Sequence, residues 1–260
     1  MNNKSKKKST AAKIVFWSAF FVFAAGLAAV VYILFNSYFV PEKETVSVSS
    51  YNTQTESKRE LPENPVNFTL LKQQNSDIYA WIRIPNTKID YPVLQNPDPK
   101  DSEDEFYLHH DENKKYRFAG SIYSQKGNST DFSDRNTILY GHNMLNGSMF
   151  QNLHKFRNAD FFNSNETIYI YTPGHILTYK IFAAYKYDDR HILNAFNFSD
   201  DKVFSEYLDY VKNPKSMIVN KRDVDLDLNS KLLTLSTCIG NEGNYRYLVQ
   251  GVLIKDEPTK

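Results

Sequence analysis

A long apolar run stands near the start of the chain. Residues 14–35 carry no charged side chain over 22 positions, and a helix of that length crosses the roughly 30 Å hydrocarbon core of a bilayer. The run is longer than the ~7–15-residue core of a cleaved signal peptide, and it lacks the polar face of a buried core helix. We therefore predict one transmembrane signal anchor. Residues 1–13 hold five lysines and no acid, which predicts a cytoplasmic tail and an extracellular remainder.

Polar residues dominate the next segment. Residues 36–63 contain few large apolar side chains and no sustained period, so they cannot bury a core and predict an extracellular stalk. Residues 64–260 form the predicted folded domain. At its start, Phe68, Leu71 and Ile78 recur at roughly helical spacing, which indicates one or two short helices.

Short runs of β-branched and aromatic residues then recur between turn signals, as is typical of strands. Pro173 and Gly174 separate two of them and indicate a tight hairpin. Helical patterns interrupt at residues 149–162 and 201–211. Eight predicted strands with few helices indicate a mainly β fold, a closed or nearly closed barrel. The predicted strands are residues 80–85, 90–95, 120–124, 136–142, 167–172, 175–187, 231–238 and 245–255.

Composition narrows the functional classes. The 260 residues include 31 basic and 30 acidic side chains, but removing the five lysines of the tail leaves 26 basic against 30 acidic groups, a net charge of −4. A folded part with that charge argues against nucleic acid as the main partner. One cysteine excludes an internal disulfide and a cysteine-based zinc site.

The single cysteine, Cys238, ends a strand-like run and precedes a turn-rich stretch. A scaffold presents reactive groups at such positions, although cysteine is also among the most buried residue types and can be purely structural. The predicted extracellular setting favours function, because an idle free thiol there is exposed to oxidation.

A nucleophilic thiol needs a partner that raises its thiolate fraction, and histidine is the usual one. Of the six histidines, His142 ends a strand-like run between Gly141 and Asn143 and can project over a cleft. His154 lies inside a helical pattern, where we expect no role in the site. Arg246 opens the last strand, where it would lie near the thiol and donate to an oxyanion; the alternative is a solvated edge charge.

The acids and the remaining histidines offer weaker candidates. Asp131 and Asp134 precede the strand of His142 and could orient its ring, although such loop acids are usually only solvated. His109 and His110 are adjacent, so in a strand they would point to opposite faces, and no third ligand follows. We therefore expect no metal and no cofactor.

Three motifs together resemble the sortase family of Gram-positive cell-surface transpeptidases. They are TLSTC at residues 234–238 followed by an arginine on the next strand, YGHN at residues 140–143, and WIRIPNTKIDYPVLQ at residues 81–95. The last is similar to the first strands of class B, and the helices ahead of the barrel and the helix inserted before the cysteine strand agree with that class.

The resemblance implies an eight-stranded sortase barrel in which Cys238 attacks the carbonyl of a threonine in the sorting signal of a surface protein. Arg246 would steady the oxyanion, and His142 would protonate the leaving amine and then deprotonate the incoming one. The product would be a surface protein joined to a peptidoglycan precursor amine or to a pilin lysine. The resemblance also implies a signal of the Asn-Pro-x-Thr-x type and four residues that line the substrate pocket: Ser236, Thr237, Asn143 and Tyr140.

Two other readings stay open at this point. A secreted thiol peptidase would use the same cysteine and histidine with water as the acceptor. A non-catalytic surface-adhesion barrel would carry Cys238 incidentally, and its thiol would be inert. The predicted anchor favours the transpeptidase, because an enzyme held at the membrane meets secreted substrates and lipid-linked acceptors there.

Overall fold

The computed structural model describes residues 61–98, 100, 104–240 and 242–260. The predicted tail, the predicted membrane helix and most of the predicted stalk lie outside these ranges. Within the described ranges, no helix is both long enough and apolar enough to cross a bilayer.

Nine strands and four α-helices follow one another along the described chain. The strands are β1 Ile78–Arg83, β2 Asp90–Leu94, β3 Ile122–Tyr123, β4 Asn136–Tyr140, β5 Thr167–Thr172, β6 His175–Asp188, β7 Val219–Lys221, β8 Leu232–Ile239 and β9 Glu242–Pro258. The α-helices are α1 Phe68–Gln74, α2 Ala159–Ser164, α3 Ile192–Ala195 and α4 Asp201–Lys212. Two 3₁₀-helices, Phe106–Leu108 and Phe150–Arg157, complete the set.

Eight of the strands close into a barrel, as the sequence predicts. Their order is β5-β1-β2-β3-β4-β8-β9-β6, and β6 pairs back with β5. Closure leaves none of these eight strands as a free edge. The ninth strand, β7, adds to the far half of β6 through the Ala183–Lys221 and Tyr185–Val219 pairs. The sequence did not predict β7, because its three residues are mostly exposed and show no apolar alternation.

The predicted helix at residues 149–162 is two helices of different kinds. Phe150, Leu153 and Phe156 are fully buried and recur every third residue, the period of a 3₁₀-helix. Eight residues is long for this type of helix, and burial of these three side chains in the barrel core stabilises it. Asn158 ends it and caps α2 by accepting a hydrogen bond from the backbone N–H of Phe161.

Helix α4 is inserted between β6 and the cysteine strand β8, as predicted. Its buried face is formed by Phe204, Tyr207, Leu208 and Val211, which pack on the outer side of the barrel in a second hydrophobic cluster. The barrel interior forms the main core. Both clusters meet at β8 and β9 and hold these two strands from opposite sides.

Candidate active site

The three residues predicted to be catalytic lie beside one another at one end of the barrel. Strands β4 and β8 are parallel neighbours in which Tyr140 pairs with Ser236. His142 follows Tyr140 by two residues, and Cys238 follows Ser236 by two residues. On the other side of β8, Arg246 of β9 is the direct antiparallel partner of Cys238. Directly paired residues share a face of the sheet, and neighbouring strands lie about 4.8 Å apart, so the geometry gives the order histidine, cysteine, arginine.

Backbone contacts hold the histidine segment against the cysteine strand. The backbone N–H of Gly141 donates to the carbonyl of Ser236 at 3.2 Å, and the buried Thr237 hydroxyl donates to the carbonyl of Gly141 at 2.8 Å. Core side chains also confine position 141 to glycine, because a Cβ there would lie 2.5 Å from the Ile122 Cδ1 and 2.9 Å from the Phe150 ring.

Cys238 is a free, exposed cysteine at the point where β8 leaves the regular ladder. The pairing with β9 shifts register between Cys238 and Ile239, and Gly240 turns the chain with φ of +36°. The carbonyl of Cys238 accepts two side-chain hydrogen bonds, from Asn143 Nδ2 at 3.1 Å and from His154 Nε2 at 3.0 Å.

His142 is half-buried and its ring is fixed by three neighbours. Its Nε2 lies 3.0 Å from the carbonyl oxygen of Leu108; because a carbonyl only accepts, Nε2 carries the hydrogen and Nδ1 is left for proton exchange. The ring stacks on Phe118 at 5.6 Å and lies 5.5 Å from His109. Burial lowers the pKa of His142, and a charge on His109 lowers this pKa further, while the bond to Leu108 raises it. The imidazole is therefore neutral at pH 7.

The two acids that could orient His142 are engaged elsewhere. Asp131 accepts a hydrogen bond from the backbone N–H of Ser133, and Asp134 accepts from the side chain of Asn128 and from both backbone and hydroxyl of Ser129. The expectation that Asp131 or Asp134 orients the ring is thus not met in the structure, where the Leu108 carbonyl takes that place.

The guanidinium of Arg246 is held by its own loop. Its Nη1 donates to the carbonyl of Gly243 at 2.9 Å and to the carbonyl of Tyr245 at 3.1 Å. The Lys186 ammonium pairs with Glu242 and lies 3.7 Å from the centre of the Tyr245 ring, so β6 restrains the same loop. With Nη1 satisfied by these carbonyls, the Nε and Nη2 hydrogens are the ones suited to a substrate oxygen.

The four residues predicted to bind substrate all lie in this region, but they differ in burial and in whether their polar groups are already hydrogen-bonded. Tyr140 is half-buried with its ring 5.5 Å from that of Tyr123, and burial raises its pKa. Ser236 is buried. The polar groups of Thr237 and Asn143 are already bonded to backbone carbonyls of the site.

Sequence reasoning missed the contribution of His154 and of the wall formed by Leu108, His109 and Phe118. Leu108 and His109 precede β3 and belong to no strand pattern, so only the folded chain brings them to His142. For His154 the sequence offers no signal, because the three-residue period of its helix marks only the buried Phe150, Leu153 and Phe156. Within the described residues, no three His, Cys, Asp or Glu side chains are grouped to hold a metal.

Comparison with known proteins identifies the family of this chain. A family model described as a sortase domain matches residues 82–254. Sortase B of Listeria monocytogenes serovar 1/2a is 35% identical over 189 residues, covering 71% of this chain and 72% of that protein.

Solved structures point the same way. The X-ray structure of Clostridium perfringens sortase B is 35% identical with a TM-score of 0.64 and covers 73% of this chain and 100% of that one. A substrate complex of Staphylococcus aureus sortase B is 29% identical with a TM-score of 0.62, covering 72% and 84%. The chain therefore belongs to the sortase family, and within that family it is a class B transpeptidase.

Proposed function

We propose that Cys238 is the nucleophile of this transpeptidase, that His142 moves the proton and that Arg246 stabilises the oxyanion. The observation that supports this most is the placement of the three residues on adjacent chain segments at one barrel end. A surface-adhesion barrel with an incidental cysteine has no need of that placement.

The reaction runs in two acyl transfers. Cys238 passes its proton to Nδ1 of His142, and the thiolate sulfur attacks the carbonyl carbon of the substrate threonine. Arg246 donates N–H groups to the oxyanion that forms. The amide C–N bond then breaks, the His142 imidazolium protonates the departing amine, and a thioester to Cys238 remains. An acceptor amine attacks the thioester, His142 takes its proton, and the thiolate leaves with a new amide formed.

The substrate follows from the class B resemblance together with the site. We propose a sorting signal of the Asn-Pro-x-Thr-x type on a secreted surface protein, cleaved after its threonine, and a peptidoglycan precursor amine as acceptor. Among the similar solved structures is a substrate complex of Staphylococcus aureus sortase B, which supports a substrate-binding role for this chain. A pilin lysine is the alternative acceptor, and water would make the protein a peptidase.

The site also has to be brought to its substrates. We propose that residues 14–35 anchor the chain in the cell membrane in a single pass, with residues 1–13 cytoplasmic, residues 36–63 as the stalk and residues 64–260 as the extracellular catalytic domain. The uncharged run and the lysines before it support this topology. Protease added to intact cells should remove the catalytic domain and spare a tag at residue 1; loss of the tag would contradict the orientation.

Variants test the three assignments in the purified full-length chain with Asn-Pro-x-Thr-x peptides and an amine acceptor. We expect Cys238→Ala to abolish turnover, and His142→Ala and Arg246→Ala each to lower kcat/KM on the order of 10²-fold or more. His175→Ala is the matched control, because His175 is an exposed histidine that pairs with the surface residue Asp256. Parental activity in Cys238→Ala would overturn the proposal.

A further inference from the structure

The carbonyl oxygen of Cys238 is the meeting point of two distant side chains. Asn143 Nδ2 reaches it at 3.1 Å and His154 Nε2 at 3.0 Å. We propose that these two donors form a clamp, called here the carbonyl clamp, which positions the Cys238 thiol relative to His142. The inference rests on the proposed function, and it makes His154 a positioning residue, contrary to the expectation from sequence.

The place of the clamp explains why one is needed. The β8–β9 ladder shifts register immediately after Cys238. Gly240 lies in the turn that follows and Gly243 at the start of β9, and among the described residues none but their chain neighbours comes within 4 Å of a Cβ added at either glycine. A regular ladder therefore does not hold the nucleophile from its C-terminal side. Side-chain donors from outside the two strands supply that restraint.

His154 is itself held firmly enough to act as a clamp. Its helix is anchored by Leu153 and Phe156, both fully buried, and its ring lies 5.1 Å from the ring of buried Tyr247. Because the Cys238 carbonyl only accepts, Nε2 must carry the hydrogen. The other ring nitrogen, Nδ1, is buried and has no hydrogen-bond partner in the described part of the chain.

The charge state of His154 is compatible with this role. The groups that act on it are the Cys238 carbonyl, which favours the charged ring, and the Arg157 guanidinium, which disfavours it. Burial is the largest effect and lowers the pKa of His154. The ring therefore stays neutral at pH 7, with its single hydrogen on the nitrogen that faces the carbonyl.

Asn143 gives the clamp its second function. It directly follows His142, so the carbonyl that fixes the nucleophile also fixes the start of the loop that bears the proton-transfer group. A misplacement of about 1 Å between reacting groups can cost on the order of 10²-fold in rate. The clamp thereby sets the geometry between Cys238 and His142 through the backbone carbonyl of the nucleophile.

The experiment uses variants of the full-length chain at position 154 that separate loss of the Nε2 hydrogen-bond donor from loss of the side-chain volume. His154→Gln can present an amide N–H where Nε2 lies, His154→Asn is too short to reach the carbonyl, and His154→Leu has no donor. We expect His154→Leu and His154→Asn to lower kcat about tenfold, the rate equivalent of one hydrogen bond, with KM nearly unchanged, and His154→Gln to recover most of the loss. The rate at which iodoacetamide alkylates Cys238, measured across pH 5–9, should also change most in His154→Leu and His154→Asn and least in His154→Gln.

Asn143→Ala removes the other donor of the carbonyl clamp and gives a second test. Because both donors serve one acceptor, the double variant Asn143→Ala/His154→Leu should lose less or more than the product of the single losses. Parental kcat in His154→Leu, equal losses in His154→Gln and His154→Asn, or strictly multiplicative losses in the double variant would overturn the clamp. If His154→Leu does not fold, the Gln and Asn pair decides. Turnover by Cys238→Ala would instead overturn the proposed function.

Discussion

The two buried threonines Thr237 and Thr137 allow the contact between the histidine segment and the cysteine strand to be measured. Thr237 is 2% exposed, and its hydroxyl donates to the buried carbonyl of Gly141 at 2.8 Å. Thr237→Val keeps the shape of the side chain and removes the donor. The expected loss is about 1–3 kcal/mol of unfolding free energy, because one hydrogen bond disappears and a buried carbonyl loses its partner.

Thr137 is the matched control on the adjacent strand. It is fully buried, but its hydroxyl has no hydrogen-bond partner within the described residues. Thr137→Val therefore removes an unsatisfied polar group, and we expect unchanged stability or a gain of up to about 1 kcal/mol. The two variants make the same chemical change in the same sheet, but only Thr237→Val is expected to lower stability.

The assay is urea unfolding of both variants at pH 7 beside the parent, with kcat measured on the same samples. A change in midpoint at constant m-value reports stability. We expect Thr237→Val also to lower kcat about tenfold, because its bond positions the backbone beside His142, and Thr137→Val to leave kcat unchanged. Equal stability changes in the two variants would refute the reasoning that the Thr237 contact holds the site together.

Two further predictions concern the surroundings of His142. Because a charge on His109 lowers the pKa of His142, His109→Gln should move the acid limb of the pH profile of kcat/KM to higher pH. An acid limb that stays in place or moves to lower pH would contradict that coupling. Gly141→Ala should lower both stability, by about 1–3 kcal/mol, and kcat, because its Cβ would meet Ile122 and Phe150 at under 3 Å. Gly127→Ala is its control, since among the described residues the added Cβ comes nearest to the flexible end of Leu193, at 3.0 Å. Equal losses in both variants would contradict the steric argument.

Much of the barrel could be predicted because its strands carry strong local signals. Strand β5 coincides with its predicted bounds at residues 167–172, β6 ends one residue later than predicted, and β8 begins and ends one residue later than predicted. These strands are rich in β-branched and aromatic residues over six or more positions. The three-residue β7 and the two-residue β3 carry too little pattern to fix their bounds, so tertiary pairing defines them.

The residues of the candidate site could be proposed from the sequence, but the contacts that support them could not. Cys238, His142 and Arg246 stand in recognisable motifs, and strand register brings them together. The ring of His142 is restrained by the carbonyl of Leu108, and the ring of His154 by the carbonyl of Cys238. Both carbonyls belong to the backbone, and a backbone contact leaves no mark in a sequence. Contacts across 34 and 84 residues depend on how distant segments pack.

The most direct test of the central claim is mass spectrometry of the products formed by the full-length chain. The protein is incubated with Asn-Pro-x-Thr-x and Leu-Pro-x-Thr-Gly peptides, with and without triglycine, beside the Cys238→Ala variant. We predict cleavage after the threonine and a product joined to triglycine, both dependent on Cys238. Cleavage that yields only the free acid under every condition, or a joined product that survives Cys238→Ala, would contradict the assignment of a Cys238 transpeptidase.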